Sequence, residues 1–258
     1  MPSSFENLKR SFFCLSEGEC LILQQKFTEK MPEVISIIVA AGSGSRFGGE
    51  TPKQFLDLEG IPVCVMAARR IAQAVESVRT IYVLPARDFD RWRKLLSRYI
   101  TAEDASRIVC GGETRWQSVK NALDSIPKDM PASAVVLVHD GARPLVGEET
   151  VRNVVRATLN TDGAIPVVPV TDSLRKMDED GIGSEPVDRS CYRAVQTPQG
   201  STLWRMREAY GLPYDNSFTD DASVLAAASF SNIVLVNGSP RNIKITNPED
   251  LKIARCLI

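Results

Sequence analysis

The sequence predicts an α/β domain: a mostly parallel sheet with helices on both faces and a projecting β-arm. Three observations carry this. Short apolar, β-branched runs alternate with helix-length amphipathic stretches from Val34 onward, turn signals close the runs, and one polar segment breaks the rhythm. Ile35-Ser36-Ile37-Ile38-Val39-Ala40 is nearly uninterrupted, as expected of a parallel strand covered on both faces, and it ends in the loop signal Gly42-Ser43-Gly44. A helix is expected over about 62–75, a strand over 80–84 closed by Pro85, a helix over 91–99, and a strand over 107–110 ending at Gly111-Gly112. Trp116, Val119, Ala122, Leu123 and Ile126 share one helical face, and residues 134–139 make another buried strand. Helices over 147–160, 201–210 and 219–228, strands over 164–168 and 233–236, and a last helix from about Pro248 complete the pattern. Residues 171–190 hold many charges and little to bury, so they read as a hairpin arm lying against a second subunit, or as a plain surface loop.

Composition narrows the function classes. The chain has 258 residues, 31 basic against 32 acidic, so no global charge draws it to nucleic acid or an anionic membrane. No apolar run approaches the roughly 18–20 residues needed to cross a bilayer, and the chain reads as a soluble, cytoplasmic protein. The six cysteines lie far apart and read as reduced, mostly buried thiols. With His139 as its single histidine, the chain is poorly equipped for a zinc site or a Ser-His-Asp triad. Residues 1–33 are expected to be an N-terminal extension, disordered or upstream of a natural start at Met31, since their acids and short apolar stretch Leu21-Ile22-Leu23 fit neither a transit nor a signal peptide.

Ligands of open α/β sheets bind beyond the carboxyl ends of the strands, and three informative clusters sit there: 40–54, 139–144 and 169–173. In the first, small residues and glycines (Ala40, Ala41, Gly42, Ser43, Gly44) let backbone N–H groups turn toward an anion, and Arg46 and Lys53 can add charge-assisted hydrogen bonds. It is neither a Walker A loop, because Lys53 stands between Pro52 and Gln54, nor a dinucleotide fingerprint, because the third glycine comes one place late at Gly48. An ordinary turn with surface charges is the bland alternative. Asp140 is well placed to hold Mg²⁺ on phosphate oxygens, or merely to pair with Arg143 or cap a turn, and His139 reads as a packed, hydrogen-bonded residue.

Taken in order, Ala40-Ala41-Gly42-Ser43-Gly44-Ser45-Arg46 with Pro52-Lys53-Gln54, then GGETRWQSV, HDGARP, Gln196-Thr197-Pro198-Gln199, FTDDAS and NIKITNPEDL resemble the 2-C-methyl-D-erythritol 4-phosphate cytidylyltransferase family. The resemblance spans about 34–257 and implies a Rossmann-like nucleotidyltransferase fold over 34–258. It also implies CTP and methylerythritol phosphate as substrates, Mg²⁺ dependence, and a homodimer whose arms help build each other's sites. Position by position, it implies that Ala40 to Arg46 wrap the CTP phosphates, that Gly112 and Ser118 lie near the cytosine, and that Asp140 lies near the metal. Arg46 and Lys53 match the family's transition-state stabilisers, Arg189 the arginine that positions the sugar phosphate, and Lys244 its partner lysine. Ser173, Thr197 and Thr219 match positions lining the acceptor site, and Arg143 is expected among the substrate-binding residues. The chain departs from many relatives at Arg241, where they carry an acid that could help hold metal. A ribitol 5-phosphate cytidylyltransferase is the competing reading; Ala40-Ala41-Gly42 and the HDGARP stretch favour methylerythritol phosphate.

Overall fold

The computed structural model describes residues 32–42 and 51–258, and residues 32–258 form one compact unit. Residues 1–31 of the expected extension, with the start at Met31, and the site residues Ser43, Gly44 and Arg46, lie outside the described residues. In chain order the elements are β1 (Val34–Val39), β2 (Asp57–Leu58), β3 (Ile61–Pro62), α1 (Val63–Ala74), β4 (Val78–Leu84), α2 (Phe89–Leu96), α3 (Ala102–Ala105), β5 (Ile108–Cys110), α4 (Arg115–Ser125) and β6 (Val135–Asp140). Then come α5 (Glu148–Thr158), β7 (Gly163–Pro169), β8 (Leu174–Met177), β9 (Ser184–Val187), β10 (Arg193–Val195), β11 (Gln199–Thr202), α6 (Leu203–Ala209), α7 (Asp221–Ala227), β12 (Ile233–Asn237) and α8 (Pro248–Leu257).

The main sheet has eight strands: β12, β7, β11, β6, β1, β4 and β5 lie side by side in that order, and β10 shares with β11 the edge of β7 opposite β12. Strands β5, β4, β1, β6, β7 and β12 run one way; β10 and β11 run against them, one after the other along one edge of β7. Alternate residues of β1 face opposite layers. Val34 and Ile38 pack with α1, α2 and α5, whereas Ile35 and Ile37 pack with α4, α6 and α7. Being apolar on both faces is what made this strand read as an unbroken run. A third, smaller cluster of Leu58, Val63, Leu145, Ile245 and Ala254 ties α8 and the β2–β3 hairpin to the turn after β6.

Helix starts follow capping chemistry. The Thr114 side chain accepts from Gln117 N at α4, and capping boxes Asp220/Ser223 and Asn247/Asp250 open α7 and α8, the latter with Pro248 at its first position. Two expectations need correction. The helix expected over 201–210 begins at Leu203, because Gln199–Thr202 is a buried strand filling the slot between β6 and β7. The cysteines are not mostly buried: among the described ones Cys64 is buried, while Cys110, Cys191 and Cys256 are exposed, at the end of β5, in the turn before β10 and on the outer side of α8. Burial pushes the Cys64 thiol up to about 12, so it is inert. Over 171–190, β8 and β9 pair as a separate antiparallel hairpin, with Met177 and Ile182 exposed near its tip.

Candidate active site

Parallel strands send their carboxyl ends to one edge, and there the turns after β1, β4, β5 and β6 surround a cavity of about 900 Å³. Ala41, Gly42, Lys53, Gly112, Ser118, Asp140 and Lys244 all line it. The described part of the glycine loop is pinned from below. The Gln54 side chain is buried and donates to Ala40 O (2.5 Å) and Gly42 O (2.7 Å). Next to it, Phe55 stacks on Trp92 with ring centroids 4.4 Å apart, which fixes the short 3₁₀ turn that carries Lys53. Opposite, the turn after β5 approaches so closely that a Cβ on Gly111 would meet Ala41 Cβ at 2.3 Å, so only glycine fits. Gly112 N donates to Ser118 Oγ (3.2 Å), and that hydroxyl donates to Thr114 O (2.9 Å).

Asp140 closes β6 and is the electrostatic centre of the site. Lys244 Nζ lies 2.9 Å and Arg143 Nε 3.5 Å from its Oδ2, and Arg115 Nε lies 3.8 Å from Oδ1. Burial opposes the charge of this carboxyl, but Arg115, Lys244 and Arg143 outweigh it and hold the group well below the usual carboxylate range. Lys244 reaches Asp140 because its segment is tied down at both ends. Ile245 N donates to Ala142 O (2.8 Å), Arg143 Nη1 donates to Asn242 O (2.7 Å), and Asn242 Nδ2 donates to Thr197 O (2.9 Å).

Behind Asp140 lies a closed polar chain. Asp140 N donates to Thr197 Oγ1 (3.0 Å), which sits 2.9 Å from His139 Nδ1, while His139 Nε2 sits 2.9 Å from Arg143 O. A carbonyl can only accept, so Nε2 carries the proton and Nδ1 accepts from the threonine hydroxyl. Burial lowers the His139 pKa to about 4, so the ring is neutral at neutral pH. The sign of the resulting pH dependence follows from linkage. The unfolded chain takes up this proton near 6.5 and the folded one only near 4, so stability is complete above about 6.5 and falls toward pH 4, by on the order of 3 kcal/mol. Urea midpoints measured between pH 7.5 and 4.5 should drop accordingly in the native chain and much less in His139→Gln; parallel curves for the two would contradict this.

Arg115 escaped the sequence reading, although it lies inside the GGETRWQSV stretch. Its guanidinium grips Asp221 with both terminal nitrogens (Nη1–Oδ1 3.0 Å, Nη2–Oδ2 2.6 Å), and Tyr210 OH donates to Asp221 Oδ1 (2.6 Å). Burial disfavours the charge on Arg115, and Asp221 more than offsets it, keeping the guanidinium ionised. Gln54 and the rim residues Arg87, Asp88 and Arg91 were also missed. The apolar face from Trp116 to Ile126 and the helix expected over 219–228 are readable in the sequence, but nothing local pairs residues 106 positions apart.

Not every expected residue lines this cavity. Ala40 and Thr197 are buried beneath it, and Arg143 is packed behind Asp140. Ser173, Arg189 and Thr219 are exposed and away from the lining; the Arg189 guanidinium donates to Thr171 O at the base of the arm. Arg241 stays clear of Asp140, its side chain bonding Leu257 O and bordering a separate space of about 220 Å³ with Arg70 and Ser239. Among the described residues no group of three His, Cys, Asp or Glu side chains could hold a metal. The donor set still suits a hard divalent cation, since the Asp140 carboxylate lines the cavity and such ions complete their shell with phosphate oxygens and water.

A family described as 2-C-methyl-D-erythritol 4-phosphate cytidylyltransferase matches residues 34–258. The protein of that name from Phocaeicola vulgatus is 40% identical over 222 residues, covering 86% of this chain and 98% of its own. The one from Bacillus mycoides is 36% identical over 224 residues, covering 86% and 96%. The crystal structure of the Thermus thermophilus enzyme of the same name superposes with a TM-score of 0.65 at 29% identity, over 88% of this chain and 98% of that one.

Proposed function

The chain belongs to the 2-C-methyl-D-erythritol 4-phosphate cytidylyltransferase family, and from that premise we propose how the cavity beyond β1, β4, β5 and β6 works. The enzyme transfers CMP from CTP to 2-C-methyl-D-erythritol 4-phosphate and releases pyrophosphate, giving 4-diphosphocytidyl-2-C-methyl-D-erythritol. This is a step of non-mevalonate isoprenoid synthesis. The observation that carries the reading is the convergence of Lys53, Lys244 and Asp140 on one cavity walled by close-packed glycine turns.

An acceptor phosphate is already largely ionised at neutral pH, its second pKa being about 6, so its oxygen can attack the α-phosphorus in line without a general base. His139, neutral and saturated with hydrogen bonds, is not asked to move a proton. The obstacle is electrostatic: two anions must meet while charge shifts onto the leaving pyrophosphate. Fixed cations around that charge are the main source of catalysis in such transfers. We assign this task to Lys53 and Lys244, with Arg46 joining them from the glycine loop. Ala41 to Gly44 offer backbone N–H groups to the phosphates, whereas Ala40, expected among them, spends its N–H on Val83 O (2.9 Å) and only shapes the floor; Gly112 and Ser118 face the base. Asp140 would hold a Mg²⁺ ion, which would supply further positive charge to the phosphate oxygens.

Arg143 and Thr197 act from behind, holding Asp140 and the Asn242–Lys244 strip. Ser173, Thr219 and Arg189 complete the acceptor half, Arg189 reaching the cavity of a second copy through the arm of a homodimer. Its exposure outside its own cavity supports this. The four described cysteines are free, as suits a cytoplasmic enzyme, and among the described residues no helix is long and apolar enough to cross a membrane.

Two measurements test these assignments. Pyrophosphate release from CTP should follow addition of methylerythritol phosphate and stay near background with ribitol 5-phosphate; the reverse preference would overturn the substrate assignment. Mixing inactive Arg189→Ala and Lys53→Ala chains should restore part of the activity through hybrid dimers that carry one intact site. No recovery after verified subunit exchange would place both residues in the site of a single chain.

A further inference from the structure

We propose that Asp221 is a positioning residue for the cation-binding carboxylate: by gripping Arg115 it keeps the guanidinium off Asp140 Oδ1, leaving that oxygen open to a divalent cation. The inference rests on the reading that Asp140 holds such a cation. Asp221 is fully buried, so its charge needs a partner of good geometry. Arg115 supplies it with both terminal nitrogens, at 3.0 and 2.6 Å, and Tyr210 OH adds a third bond at 2.6 Å. That fork leaves only Arg115 Nε turned toward Asp140, and at 3.8 Å it is beyond hydrogen-bond reach of Oδ1.

The other oxygen of Asp140 is already engaged, by Lys244 at 2.9 Å and Arg143 at 3.5 Å. Oδ1 is thus the oxygen with room for a ligand, and the guanidinium nearest to filling it is restrained by a residue at the opposite end of its fork. Without the charge on Asp221, Asp140 becomes the stronger anchor for Arg115, and a bidentate pair there would cover Oδ1. Asp221 opens α7 two residues after Thr219, so the segment assigned to the acceptor also sets the state of the carboxylate that serves the nucleotide.

Mn²⁺ titrated into the full-length protein holding stoichiometric CTP, with free Mn²⁺ read by electron paramagnetic resonance, tests this. Asp221→Asn should weaken Mn²⁺ binding by about 10-fold or more, the scale on which removing a partner of a metal ligand acts. Arg115→Gln alone should bind Mn²⁺ at least as tightly as the native chain, and Asp221→Asn combined with Arg115→Gln should regain the native affinity although its unfolding midpoint stays lowered. A loss of affinity in Arg115→Gln, or no rescue in the double variant, overturns the proposal, and the first of these is readable even if Asp221→Asn fails to fold. Native-like binding in Asp221→Asn overturns it as well. Native-like binding in Asp140→Asn removes the cation from Asp140 altogether, and the proposal with it, which separates that failure from the others.

Discussion

Lys53→Ala is expected to lower kcat by roughly 10²–10³, the scale of losing one preorganised charge-stabilising donor, while leaving the fold in place. The effect is large because the cavity wall around Lys53 is rigid. Gln54 is locked onto Ala40 O and Gly42 O, and Phe55 is stacked on Trp92, so the ammonium is presented from a fixed turn rather than a mobile loop. Those same anchors do not involve the lysine side chain, which is why the fold should survive its removal. The charge is also felt at Asp250. Burial works against that carboxylate, while hydrogen bonds from Thr246 and Asn247 and the charge of Lys53 lower its pKa. A steady-state comparison of kcat with circular dichroism and the thermal midpoint decides the matter. Turnover within a few-fold of the native chain would remove Lys53 from the chemistry.

Asp140→Asn should cost a comparable factor, about 10²–10³ in kcat, because the amide cannot supply the negative charge that a cation on the phosphates requires. Its effect on folding should be milder than the site's crowding suggests. Losing one member of a buried pair costs about 3–5 kcal/mol when the other charge is stranded. Here that is avoided for two of the three cations. Arg115 keeps Asp221 and the Lys244 side chain is 43% exposed and can turn to water, whereas the largely buried Arg143 guanidinium keeps only its hydrogen bond to Asn242 O. A stability loss of about 1–3 kcal/mol, that of a few altered hydrogen bonds, is therefore expected in urea denaturation. Activity within tenfold of native, in a well-folded variant, would contradict the role given to this carboxylate.

Much of this site could be read along the chain because its parts are local. Gly42 and Gly112 closely follow apolar strands, Asp140 closes one, and parallel strands necessarily deliver such ends to a common edge; Lys53, fourteen residues past β1, is held there by the Gln54 and Phe55 anchors. What escaped was the contact made at a distance. Residues 201 and 202 read as the start of the helix expected over 201–210, and 199–200 read as no element. They form a strand instead because β6 and β7 leave a slot whose backbone groups must be paired, and Ser201 Oγ settles there on Asp162 O (2.6 Å). The Arg115–Asp221 grip was hidden for the same reason.

For this protein, the order of apolar runs and glycine turns was enough to determine the layered α/β architecture and the edge where the strand ends gather, and together with the family resemblance it named seven of the twenty residues that line the cavity there. Those signals are short-range, since burial and backbone conformation leave their mark within a few residues. Only the tertiary structure decided which charges meet: that Asp140 stands among Lys244, Arg143 and Arg115, that His139 is sealed as a neutral ring, and that Arg241 faces elsewhere. Coulomb and hydrogen-bond partners are chosen by distance in space, and a chain that folds back over a hundred residues leaves no local pattern to announce the choice.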